Sequence, residues 1–153
     1  MAIPIKDRYF DDFNQGEVVE IGDYLITPEE IVDFAKRYDP QPFHLDEEAA
    51  RESIYGGLIA SGWMTCGVLM RMLVDHFVPA VSSMGSPGID ELRWLKPVRP
   101  GDRLRARVTV VDLRRSSSRP DRGIIHFHQE ALNQRDEVVL SMRGMGMYKC
   151  RPG

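Results

Sequence analysis

The chain has 153 residues, 42% of them hydrophobic and 28% charged, with a formal net charge of −3 and no basic block. That is the composition of an ordinary globular protein, and it argues against nucleic acid or an anionic membrane as a partner. Two cysteines, Cys66 and Cys150, make neither a disulfide framework nor a metal set.

The N-terminal stretch MAIPIKDRYFDDF has no apolar run of the signal-peptide kind, so the expected location is a reducing cytoplasm. The length fits one domain over 1–153. Residues 1–16 read as an irregular lead-in, with Tyr9, Phe10 and Phe13 set between acids. Glu17–Ile26 is rich in Val, Ile and Tyr and reads as a strand, with Gly22 as a bulge.

Thr27-Pro28-Glu29-Glu30 reads as a helix start: Thr27 caps, Pro28 takes the first helical position and Glu30 completes a capping box. Ile31, Phe34, Ala35 and Tyr38 follow at helical spacing. Pro40 and Pro42 end that helix and hold Gln41 extended. A short helix at about 46–51 opens on Asp46.

Ile54–Val78 then carries no charge until Arg71 and reads as a long helix buried on every side. Arg71, Asp75 and His76 in its last third argue against a membrane span. After a loop at 79–88 the pattern changes to period two. Ile89–Leu95, Arg103–Val110, Gly123–Asn133 and Glu137–Lys149 read as four sequential antiparallel strands.

The sum is an α+β arrangement in which about five antiparallel strands wrap one long buried helix. Five strands of this length cannot enclose the helix fully, so apolar surface remains and a two-fold dimer or higher homo-oligomer is expected.

The chemistry-bearing residues cluster in the middle. Asp39 and His44 sit five apart in a loop that Pro40 and Pro42 stiffen. A carboxylate and an imidazole are the usual pair for moving a proton to and from water near neutral pH. Spacing alone also fits a local cap and a structural hydrogen bond. Gly56, Gly57 and Gly62 flank or begin the long helix, where free N–H groups can receive an oxyanion or a polarised carbonyl; they equally suit a tight turn. His126 and His128 share one strand face without supporting acids or cysteines. Arg99, Arg114, Arg115, Arg119 and Arg122 lie in connections, where they meet either phosphate groups or solvent. Trp63, Met64, Met70 and Met72 suit core packing and the wall of an apolar tunnel.

Four segments carry a resemblance: Tyr9-Phe-Asp-Asp-Phe13, Asp39-Pro-Gln-Pro-Phe-His44, Gly57-Leu-Ile-Ala-Ser-Gly62 and Leu95-Lys-Pro-Val-Arg-Pro-Gly-Asp102. In these the chain resembles the MaoC-like acyl-CoA dehydratases and (R)-specific enoyl-CoA hydratases, which have the hotdog fold. The resemblance implies that Asp39 and His44 activate a water that adds to a 2-enoyl thioester. It implies that Gly62, with Ser61 beside it, receives the thioester carbonyl. Gln41, Phe43, Gly57 and Trp63 would line the substrate. It further implies an acyl-CoA or acyl-carrier thioester substrate, a homodimer or larger homo-oligomer, and no metal or cofactor beyond coenzyme A carried by the substrate.

Three positions depart from the family pattern. Gln41 stands where the family has Asn, and Ser61 and Met70 stand where the hydratases tend to carry His and Ser. A hotdog thioesterase and a non-catalytic acyl-thioester-binding protein are the alternatives left open.

Overall fold

Period-two patterning governs the C-terminal half, and in the computed structural model, which describes residues 2–153, it becomes the body of an antiparallel sheet. Strands β1 (Val18–Leu25), β2 (Ile89–Trp94), β3 (Arg103–Arg115), β4 (Arg122–Leu132) and β5 (Val138–Lys149) lie in the order β1-β3-β4-β5-β2. Along β3, Leu104, Ala106, Val108 and Val110 are buried. The intervening arginines pair on the other face, Arg105 with Asp136 at 2.7 Å and Arg107 with Glu130 at 2.9 Å. β1 breaks its register between Ile21 and Tyr24, around Gly22, as a bulge should.

The sheet departs from the sequential order expected of its last four strands. β2 pairs with β5 rather than β3, so the chain crosses the sheet between them. Pro97 and Pro100 donate no ladder hydrogen bond, and Gly101 adopts φ +87°. The resulting turn is tied to the end of β1: Gly101 N donates to Ile26 O and Ile26 N to Asp102 O, both at 2.8 Å. Inside it the Asp102 carboxylate accepts from Arg99 N at 2.9 Å.

α1 (Pro28–Tyr38) begins as expected, with the Thr27 hydroxyl accepting from Glu30 N at 3.2 Å. The other half of the expected capping box is absent. The Glu30 carboxylate instead accepts from the Tyr24 hydroxyl at 2.6 Å, since β1 brings that phenol within reach. Between the two prolines Gln41 is extended, at φ −97° and ψ 146°, as expected. Pro42 opens a single helical turn, α2 (Pro42–Leu45), before α3 (Glu47–Arg51), which Asp46 caps. The lead-in forms two 3₁₀ turns, Ile5–Asp7 and Phe10–Asp12, which deliver Phe10 and Phe13 to the core.

The long helix is shorter than its apolar run. α4 spans Gly62–His76, and residues 54–61 are irregular. The reason lies in its first turns: glycines favour helix poorly, Gly56 takes φ +67°, and Ser61 caps. Ile59 N and Ala60 N are drawn instead to Phe43 O and Val98 O, at 3.2 and 2.8 Å. α4 buries Met64, Thr65, Val68, Leu69, Met72 and Leu73 against the sheet. It is not buried all round, for Trp63, Met70 and Val74 form an exposed stripe at 59%, 49% and 44%.

Candidate active site

The local folding of residues 38–46 puts the acid and the imidazole together. α1 ends at Tyr38, and Asp39 is its C-cap, with its N–H on Ala35 O. The Pro42 turn then rotates His44 inward, where it is buried. His44 Nε2 lies 3.2 Å from Asp39 Oδ2. The other ring nitrogen, Nδ1, is 2.7 Å from Ile59 O. A carbonyl only accepts, so Nδ1 carries a proton and donates it. Nε2 is therefore the nitrogen that faces the Asp39 carboxylate.

Asp39 is held by several donors. Gln41 Nε2 donates to Oδ1 at 2.6 Å, and the Ser61 hydroxyl donates to Oδ2 at 2.7 Å. Partial burial pushes the Asp39 carboxyl up, but these two bonds and the adjacent His44 outweigh it and leave the carboxyl below its usual range. Asp39 is thus a carboxylate at neutral pH.

Asp39, Gln41, Phe43, His44, Gly62 and Trp63 all line one cavity of about 590 Å³. Gly62 is the first residue of α4, and such N–H groups have no partner within their helix. Two expected residues lie elsewhere. The Ser61 hydroxyl is fully buried on Asp39 and on Trp63 N, rather than lining the cavity. Gly57 sits behind the loop, beside the Arg99 guanidinium.

Much of the remaining wall comes from Tyr55, Thr65, Trp94, Leu95, Lys96 and Val98, none of which stood out in the sequence as a candidate. Leu95, Lys96 and Val98 belong to a segment quoted for its turn, and the crossing to β3 is what swings them into the site. Trp94 packs close against Gly62, its Nε1 donating to Gly62 O at 2.8 Å and its ring 5.1 Å from that of Trp63. Lys96 is tied to Glu137 at 2.5 Å.

Several of the other candidate residues have structural partners. Arg99 donates to Tyr55 O at 2.7 Å, Arg122 pairs with Asp121, and His128 Nε2 is 2.9 Å from Ser141 Oγ.

A five-stranded antiparallel sheet packed on one helix, with an acid–imidazole pair at that helix's N-terminus, defines the class: a hotdog domain. The description of one solved structure, a Mycobacterium tuberculosis protein, gives it a double hotdog fold. It superposes with a TM-score of 0.79 at 21% identity, over 98% of this chain and 46% of its own.

The family model described as a MaoC like domain matches residues 13–127, and the chain belongs to that family. A crystal structure of a MaoC-like dehydratase from Rhodospirillum rubrum is 42% identical, with a TM-score of 0.89 over 95% of this chain and 99% of that one. An uncharacterised protein of Bacillus subtilis, YdeM, is 28% identical over 84% of this chain and 90% of its own length. The 3-hydroxyacyl-thioester dehydratase Z of Mycobacterium tuberculosis is 35% identical over 63% of this chain and 66% of its length. Mesaconyl-CoA hydratase of Cereibacter sphaeroides is 44% identical over 46% of this chain, which spans only 21% of that protein. Among the described residues no helix is long and apolar enough to cross a membrane.

Proposed function

We propose that this chain is a hydro-lyase that reversibly adds water to a 2-enoyl thioester, of the enoyl-CoA hydratase or 3-hydroxyacyl-CoA dehydratase type. The observation that carries the reading is the 3.2 Å contact between Asp39 Oδ2 and His44 Nε2 on the wall of a cavity that also includes the first residue of α4. A carboxylate that stays ionised and an imidazole with one exchangeable nitrogen suit a water that must lose a proton while a carbon gains one.

In the hydration direction, the Asp39 carboxylate takes a proton from water as its oxygen bonds to C3. The C2=C3 π pair moves toward the thioester, and the enolate-like charge on the carbonyl oxygen is met by the Gly62 N–H. C2 then takes the proton that His44 Nε2 carries when the ring enters the cycle as an imidazolium, which leaves a neutral imidazole with Nδ1 still protonated against Ile59 O. Return of the Asp39 proton to the imidazole, directly or through water, restores the pair. Dehydration is the reverse.

Phe43, Trp63, Trp94, Leu95 and Val98 make the walls apolar enough for an acyl chain. The step needs no metal or redox cofactor, and coenzyme A or an acyl carrier enters with the substrate. A second copy of the chain is the natural cover for the exposed stripe on α4 and the outer edge of β2, and light scattering should read a homodimer or a larger homo-oligomer.

The test is loss of enoyl-thioester absorbance when purified protein is added to a panel of 2-enoyl-CoAs and carrier-bound enoyl groups. Consumption of at least one substrate without release of thiol supports the reading. Thiol release in place of hydration assigns the site to thioester hydrolysis and overturns it.

A further inference from the structure

Ser61 has no exposure, yet its hydroxyl makes two contacts of different kinds. It donates to Asp39 Oδ2 at 2.7 Å, and it accepts from Trp63 N at 3.3 Å as the N-cap of α4. The same oxygen therefore joins the carboxylate to the helix end that carries Gly62. Its backbone is fixed as well: the preceding Ala60 N bonds Val98 O at 2.8 Å, and Ser61 O accepts from Thr65 N at 3.1 Å. A buried hydroxyl on so rigid a backbone has little freedom to follow a moving carboxylate; the carboxylate conforms to it.

The acceptor positions on Asp39 then resolve. A carboxylate offers about four lone-pair sites, two on each oxygen. On Oδ2 they face Ser61 and His44; on Oδ1 one faces Gln41. The position left over is on Oδ1.

We propose that Ser61 is a positioning residue for the water-adding reaction: it locks the Asp39 carboxylate so that Oδ1 faces the water, and it sets that carboxylate and the Gly62 N–H in one rigid frame. The inference rests on the hydratase reading above and deepens it. Cap and positioner are separable roles. Glycine replaces serine at an N-cap at a cost of only a few tenths of a kcal/mol, whereas any variant without the hydroxyl frees Asp39. The groups facing Asp39 are His44, which can be charged, and Gln41 and Ser61, which are neutral; Lys96 shares the cavity but is paired with Glu137.

The experiment uses full-length Ser61→Gly and Ser61→Ala beside the wild type. A hydrogen bond to a charged group is strong enough that kcat should fall about tenfold or more in both variants. KM should change little, and the acid limb of kcat/KM should move to higher pH. The carboxyl ¹³C resonance of Asp39, followed by NMR, should titrate at higher pH in Ser61→Gly than in the wild type, while that variant keeps a cooperative melting transition.

An unmoved Asp39 titration, or a Ser61→Gly variant with wild-type kcat, overturns the inference. So does a loss of activity that only follows a loss of fold. Should the wild type hydrate no enoyl thioester, the hydratase reading fails on its own, and the NMR titration still decides whether Ser61 holds Asp39.

Discussion

Gly62→Ala probes the helix end most directly. A Cβ at this position would lie 2.4 Å from Trp94 Cε2 and 2.6 Å from Nε1, well inside contact distance. The indole must therefore leave. Trp94 is 45% exposed, so it can swing outward instead of straining the core. Moving it forfeits the Nε1 bond to Gly62 O, about 1 kcal/mol, and the edge-to-face contact with Trp63, again about 1 kcal/mol. Alanine returns at most about 1 kcal/mol of helix propensity. The net cost is about 1 kcal/mol, which for a chain of this size lowers the melting temperature by roughly 2–4 °C. Trp94 lines the cavity, so KM for the substrate rises as well. The assay is a melting curve and steady-state kinetics on a double-mutant cycle with Trp94→Ala. In the Trp94→Ala background the Gly62→Ala penalty should vanish, leaving the propensity gain. An undiminished penalty in that background would refute the steric argument.

Three further outcomes follow from the packing. Leu69→Ala empties a fully buried position at the centre of α4 and should cost about 2–5 kcal/mol in chemical denaturation, with no change in the slope. Glu17 is held below its usual range chiefly by its hydrogen bond from Arg8, so the stability it adds is present above the normal glutamate range and is lost as pH falls through the lowered value. Arg8→Ala should destabilise at neutral pH and show a shallower loss of stability on acidification. Burial pushes the Tyr148 phenol up to about 12. Its neutral form is favoured in the folded state, so stability holds below pH 10 and falls as the pH rises toward 12, and Tyr148→Phe should flatten that alkaline limb in a pH series of melting curves.

Much of this architecture was legible in the residues. Leu104, Ala106, Val108 and Val110 alternate with arginines and did become a half-buried strand, because period two admits no other placement of that many apolar side chains. The resemblance segments pointed to the family to which the chain belongs. The limits of the reading have physical causes. In the apolar run 54–78, Gly56, Gly57 and the Ser61-Gly62 pair are marks too weak to choose between several helix starts. That boundary is set by Ile59 and Ala60 bonding to Phe43 and Val98, which are distant in sequence. Strand order was equally hidden, since the pairing of β2 with β5 depends on where the 95–102 crossing leads. In the site, Asp39 and His44 were visible through spacing and prolines. The hold of Ser61 on Asp39 spans 22 residues and left no local trace. Trp94 and Lys96 reach the cavity only because the sheet brings the end of β2 over the start of α4.

The central claim is that Asp39 and His44 work as one unit on a water. The most direct measurement is kcat/KM for an enoyl thioester with wild type, Asp39→Asn, His44→Ala and the double variant. Each single change should cost about 10²-fold or more, and the double variant should lose little beyond the worse single, because either loss already disables the pair. Independent losses that multiply in the double variant, or a single variant that hydrates at the wild-type rate, would contradict the account.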